Sequence, residues 1–200
     1  MRPRRPAHRH SEAFRFGFTL AETMVVLVIA GTMIALAIPR VDTSRYKADA
    51  VAQIVRTTLQ TAGRTAITRQ HDIIVTFDTV GQQIVTAYDA NNDGTIGSTE
   101  RVTRRGLETG ILFADPGIKG VSGAPITASI NGASIGSLDG KPRLTFHRDG
   151  SVSSDAEIYV SIAARGPDKL YRAIVLTQST GRVDWYRLNT STNKWVIAGI

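Results

Sequence analysis

The sequence predicts an α+β protein, in which a long N-terminal helix, transmembrane in its first half, packs on an all-β C-terminal domain. Three observations carry that expectation. Phe18 to Ile38 is an almost wholly apolar run with Glu22 as its only charge. Beyond Pro39, apolar residues recur at steps of three and four, the period of a helix with one buried face. From Asp72 onward the period is two and remains two.

The apolar stretch reads GFTLAETMVVLVIAGTMIALAIP from Gly17 to Pro39. A helix over residues 18–38 rises roughly 30 Å, enough to cross the hydrocarbon core of a bilayer. The leader, residues 1–17, holds Arg2, Arg4, Arg5, Arg9 and Arg15 against Glu12. It therefore carries +4 of the chain's net +7, which comes from 24 Lys+Arg and 17 Asp+Glu in 200 residues. Such a segment stays on the cytoplasmic side of a membrane. Most of the basicity belongs to this leader, so the global charge argues only weakly for nucleic acid as a partner.

A secretory signal peptide is the competing reading, with Ala35-Leu36-Ala37 as a small-x-small cleavage site. Glu22 counts against it. An ionised carboxylate costs about 2.5–3.5 kcal/mol at the centre of a membrane helix, less toward an end. A disposable signal has no use for that charge, whereas a helix that packs on partners can neutralise it.

The junction Gly17, Phe18-Thr19-Leu20-Ala21-Glu22, followed by the apolar run, resembles the class III signal of type IV pilins and type II secretion pseudopilins. The resemblance implies cleavage by prepilin peptidase between Gly17 and Phe18 and N-methylation of Phe18. It implies that Glu22 pairs with the N-terminal amine of a neighbouring subunit during filament assembly. Pro39 matches the proline that kinks or melts the pilin helix where it leaves the membrane; it also removes one helical N–H.

The second helical segment, residues 39–70, is the soluble half of the predicted helix. Val51, Ile54, Val55, Leu59, Ala62 and Ala66 line its apolar face. Asp42, Thr43 and Ser44 supply cap-like residues at its start. In the pilin resemblance this half lies across a β-sheet.

Residues 71–200 read as strands. Ile73–Phe77, Gln83–Tyr88, Arg101–Thr103, Leu144–Phe146, Ile158–Ile162, Ala173–Leu176, Val183–Tyr186 and Trp195–Ile197 alternate or run apolar. Val80-Gly81, Asn92-Asp93-Gly94, Asp149-Gly150 and Thr180-Gly181 punctuate them. Between Pro116 and Pro142 the chain is rich in Gly, Ser and Ala, which predicts a long surface excursion with one weak strand near 126–130. Leu144-Thr145-Phe146 with Asp149-Gly150, then Ala173–Leu176 and Gly181-Arg182-Val183, resemble the GspH/FimT group of minor pseudopilins and minor pilins. The chain has no cysteine, which excludes thiol catalysis and thiolate metal sites. It also sets the chain apart from the major pilins that close a C-terminal loop with a disulfide.

Two local features carry chemistry. Asp89 to Glu100 fits the spacing of a calcium loop, with Asp89, Asn91, Asp93 and Glu100 as side-chain oxygen donors and Thr95 offering its carbonyl. Its flanks read as strands, so an Asn/Asp/Gly-rich hairpin loop explains the same residues without Ca2+. Near the C-terminus Arg182, Trp185, Tyr186, Arg187, Lys194 and Trp195 mix bases with aromatics, a combination able to hold DNA. FimT-type pilins that take up DNA carry Gly-Arg-x-Arg there. This chain has Asp184 in place of the second arginine, and a hairpin with a half-buried aromatic face is the plainer reading. His71 and His147 stand alone, and no nucleophile and base recur at catalytic spacing.

These readings predict a non-enzymatic structural subunit, a minor pseudopilin or minor pilin of a type II secretion pseudopilus or type IV pilus. The partners expected are other pilin subunits, prepilin peptidase, an inner-membrane assembly platform and lipid. The location expected is the bacterial inner membrane, single-pass, with the C-terminal domain in the periplasm. The alternative is a minor pilin that binds DNA through Arg182, Trp185, Arg187 and Lys194.

Overall fold

A computed structural model describes residues 17–37, 43–136, 139–163 and 169–198. The chain divides into two units, Met1–Val41 and Asp42–Ile200. The described part of the first is a single helix, α1 (Leu20–Ala37). Among the described residues, the second begins with helix α2 (Ser44–Arg69) and continues as eleven strands.

α1 forms where the apolar run was expected. It has 18 residues, about 27 Å of helix against the ~30 Å of a hydrocarbon core. Among the described residues no helix is long and apolar enough to cross a membrane. Residues 38–42, which include Pro39, lie outside the described residues.

α2 buries Ala48, Val51, Ala52, Val55, Leu59, Ala62 and Ala66. The expected stripe is shifted toward Ala48 and Ala52, and Ile54 is only half-buried. The small alanines let the helix approach the sheets closely. Thr43 occupies the N-cap position but its side chain makes no capping hydrogen bond. At the other end Gln70 turns left-handed (φ 57°, ψ 31°) and ends the helix.

The strands are β1 (Asp72–Asp78), β2 (Gln83–Asp89), β3 (Val102–Gly106), β4 (Ile111–Phe113), β5 (Ile130–Asn131) and β6 (Ser134–Ile135). They continue with β7 (Pro142–Phe146), β8 (Ala156–Ala163), β9 (Lys169–Thr177), β10 (Arg182–Asn189) and β11 (Lys194–Ala198). Sheet A runs β3-β2-β1-β7-β6, and sheet B runs β11-β10-β9-β8-β4, with β5 also paired to β8. Every pairing among the described residues is antiparallel, and short turns join β1 to β2, β9 to β10 and β10 to β11.

α2 contacts β1 and β7 of sheet A and β8, β9 and β10 of sheet B. One core joins its alanine-valine face to Ile73, Val75 and Phe77 of sheet A and to Ile158, Val160, Ile174 and Trp185 of sheet B. Phe77 meets Phe113 edge-on, 6.0 Å between ring centroids at 83°.

The 116–142 excursion carries more order than its composition suggested. It holds β5 and β6, strands of two residues each, the first at the end of the weak strand expected near 126–130; like three-residue β4 just before the excursion, they are too short to show a period in sequence. Buried Glu157 fixes this segment from sheet B. Its Oε1 accepts the Ser122 N–H at 2.7 Å, and its Oε2 accepts the Tyr159 hydroxyl. Burial, with the Glu157 carboxylate beside it, pushes the Tyr159 phenol above the ordinary tyrosine range. Trp195 tilts against Tyr159 at 5.6 Å and donates its indole N–H to the Lys119 carbonyl at 2.9 Å.

Candidate functional site

The N-terminal site starts at the Gly17–Phe18 junction. Gly17 and Phe18 precede α1 without regular secondary structure, and Phe18 is 77% exposed. Thr19 caps the helix: its Oγ1 accepts the Glu22 N–H at 3.2 Å. Thr19-Leu20-Ala21-Glu22 thus has the spacing of a capping box, a signal legible in the sequence that the family motif overshadowed. Glu22 lies in the first turn, where the aligned backbone dipoles favour a negative charge.

Past Glu22, α1 has no polar face. Met24, Val25, Val26, Leu27, Val28 and Ile29 are consecutive and all at least half exposed. Consecutive residues point all round a helix, so this is an apolar cylinder and not an amphipathic stripe. The hydroxyls of Thr23 and Thr32 donate back to the carbonyls of Leu20 and Ile29, at 2.9 and 2.8 Å. Polar groups satisfied inside the helix suit surroundings that offer no water.

The 89–100 loop joins β2 to β3, so strands flank it as the sequence indicated. Its carboxylates face its own backbone. Asp89, fully buried, accepts the N–H groups of Asp93 at 3.1 Å and Gly94 at 2.7 Å. Glu100 accepts those of Ala90 at 3.0 Å and Gly97 at 2.8 Å. Asn91 donates to Asp93, whose other oxygen accepts the Thr95 hydroxyl and N–H. These Thr95 bonds, with Asn91, hold the exposed Asp93 carboxyl below its usual range. Among the described residues no three His, Cys, Asp or Glu side chains are grouped so as to hold a metal ion. The loop packs beside Tyr88, whose ring lies between Arg69 and Arg101 at 5.5 and 5.4 Å.

The C-terminal basic and aromatic residues are dispersed. Arg182 pairs with Asp184 at 2.8 Å. Trp185 is 3% exposed in the core, so its ring offers no face to a base. Its indole N–H has no hydrogen-bond partner among the described residues. Arg187 lies 5.2 Å over that ring and grips Asp49 of α2. Lys194 is exposed on β11, and Trp195 belongs to the opposite face of sheet B. Strand alternation puts Arg182, Tyr186 and Trp195 on one face of the hairpin and Trp185, Arg187 and Lys194 on the other, where Trp185 is buried and Arg187 is held by Asp49.

Two interactions outside these predicted sites organise the domain. Asp78 accepts N–H groups from Val80 and Gly81, the Gln83 amide and the Lys141 ammonium at 2.8–3.2 Å. The Gly81 N–H, then Lys141 and Gln83, hold its carboxyl well below the carboxylate range. His147 Nδ1 lies 2.8 Å from Asp72 Oδ2, linking the β7 end to the start of β1.

No family model and no curated protein matches the chain. Among solved structures it is similar to the minor pseudopilin EpsH from the type II secretion system of Vibrio cholerae. One structure of that protein is 16% identical, covering 77% of this chain and 99% of the other, with a TM-score of 0.44. A second is also 16% identical, covering 77% and 96%, with a TM-score of 0.41. The similarity is one of outline, too low in identity and TM-score to transfer a role.

Proposed function

We propose that this chain is a structural, non-catalytic subunit of a pilus-like filament, a minor pseudopilin or minor pilin built into the fibre through its N-terminal helix. In this reading prepilin peptidase removes residues 1–17, Phe18 becomes the methylated N-terminus, and residues 18–38 anchor the precursor in the inner membrane. The β-rich domain then lies in the periplasm, and the assembly platform extracts the helix into the filament.

One observation carries the reading: α1 is apolar on every side, and its only charge, Glu22, sits in the first turn. A helix without a polar face is not stable in water by itself and is covered by lipid or by other helices. Glu22 then becomes the polar exception inside an apolar bundle. Its pairing with a neighbour's N-terminal amine would offset a desolvation cost that neither charge escapes alone. The GFTLAE junction supports cleavage at Gly17–Phe18, and the capped start of α1 two residues later supports a helix that persists after the cut.

Intact mass and N-terminal sequencing of the membrane-extracted protein test this directly. The expected product starts at methylated Phe18. A product starting at Ile38 would mean signal-peptidase cleavage after Ala37 and loss of the helix, and the proposal would fail.

A further inference from the structure

We propose that the groove between the N-terminal end of α2 and strands β9, β10 and β11 is a docking surface for an acidic, aliphatic segment of a partner protein. The groove encloses about 780 Å³. Arg45, Tyr46 and Asp49 come from α2, Arg172 from β9, Arg187 from β10 and Val196 from β11. Every residue lining the groove belongs to the second unit, Asp42–Ile200, and the inference does not depend on the filament reading.

Charge selects the occupant. Three arginines against one aspartate leave this lining at +2. The Asp49 carboxylate is already committed: Arg172 Nε reaches Oδ1 at 2.7 Å, and Arg187 holds both oxygens at 3.2 and 2.8 Å. One carboxylate neutralises one of two guanidiniums, so the pair of arginines retains a positive charge facing the groove. Arg45 has no ion-pair partner among the described residues and adds a second.

The apolar part of the remaining lining, beside polar Asn189, Thr190 and Ser191, favours protein over nucleic acid. Tyr46 is 77% exposed and Val196 52% exposed, with Leu170 beside them. Exposed tyrosine and arginine beside a cleft are the side chains enriched at the anchors of protein interfaces. A run of phosphates would leave Val196 and Leu170 uncovered and would meet Asp49 head-on. β11 is also the end strand of sheet B, paired only with β10 among the described residues. An extended segment can add to that edge with its main chain while its acids reach Arg45 and Arg187.

The test uses the full-length chain in detergent micelles and a labelled synthetic peptide alternating glutamate and leucine, followed by fluorescence anisotropy against empty micelles. Saturable binding that weakens with salt is expected. Arg45→Glu and Tyr46→Ala, both at exposed positions, should each weaken it by about tenfold, the loss expected for an interface anchor. Arg105→Glu, on β3 of the other sheet, should leave it unchanged. Absence of saturable binding, equal loss in Arg105→Glu, or equally tight binding of a single-stranded oligonucleotide of the same charge would overturn the proposal. Tyr46→Ala keeps the test decisive if charge reversal at Arg45 impairs folding.

Discussion

Arg172 on β9 and Asp49 on α2, 123 positions apart in sequence, meet through a 2.7 Å hydrogen bond. The guanidinium side chain is 5% exposed and the carboxylate 26%. With Arg187 as a second partner, Asp49 ties the start of α2 to two strands of sheet B.

Removing Asp49 leaves a buried arginine without its counter-charge. Asp49→Ala is predicted to destabilise the domain by about 2 kcal/mol, below the range for a fully buried pair because Asp49 is partly solvated. Chemical denaturation measures it; a change under about 0.5 kcal/mol would show that water replaces the carboxylate.

Asp78 makes stability depend on pH in the acid range. Its folded carboxyl is held below its unfolded value near pH 4, so its contribution is complete above about pH 4. The contribution is lost as pH falls through the folded value. Asp78→Asn should therefore be less stable than wild type at pH 7, with the gap closing below about pH 4. Parallel stability–pH curves for the two proteins would refute this.

Glu22 separates processing from assembly in the proposed function. Glu22→Gln should still yield a chain starting at Phe18 while its yield in sheared filament fractions falls to background. Normal incorporation of Glu22→Gln would remove the charge-pairing role and leave Glu22 as a residue of the helix start.

The 89–100 loop gives two separable outcomes. Asp89→Ala removes the buried carboxylate that accepts the Asp93 and Gly94 N–H groups and should cost about 2 kcal/mol. The calcium expectation makes a distinct claim: millimolar Ca2+ raises the thermal midpoint, and Glu100→Gln abolishes the rise. A midpoint indifferent to Ca2+ and to chelator would leave the loop as a turn held by its own backbone bonds.

Trp185 discriminates the DNA reading from a core role. Trp185→Ala should cost about 3–5 kcal/mol in stability, the usual loss for a buried aromatic. If the domain instead keeps its denaturation midpoint and loses affinity for single-stranded DNA, the ring serves a surface site.

The long periodic elements were legible before the fold was known. α1 lies where the unbroken apolar run put it, and α2, β1, β2, β8, β9 and β10 lie where the spacing of the apolar residues put them, because each spans enough residues to show it. The GFTLAE junction, the single charge at Glu22 and the calcium-like spacing of 89–100 are likewise local facts of sequence. β4 and β6 were not legible, and β5 only as a weak strand expected near 126–130, since strands of two or three residues exist only through their partners on β7 and β8. Tertiary structure alone decided what the polar residues do. It took Arg187 from a presumed DNA cluster to Asp49, buried Trp185, and placed Arg45 and Val196 around one groove. Those outcomes depend on which face of a strand meets which helix. A pairing between residues more than a hundred positions apart is set by packing of the shared core, which local propensity does not encode.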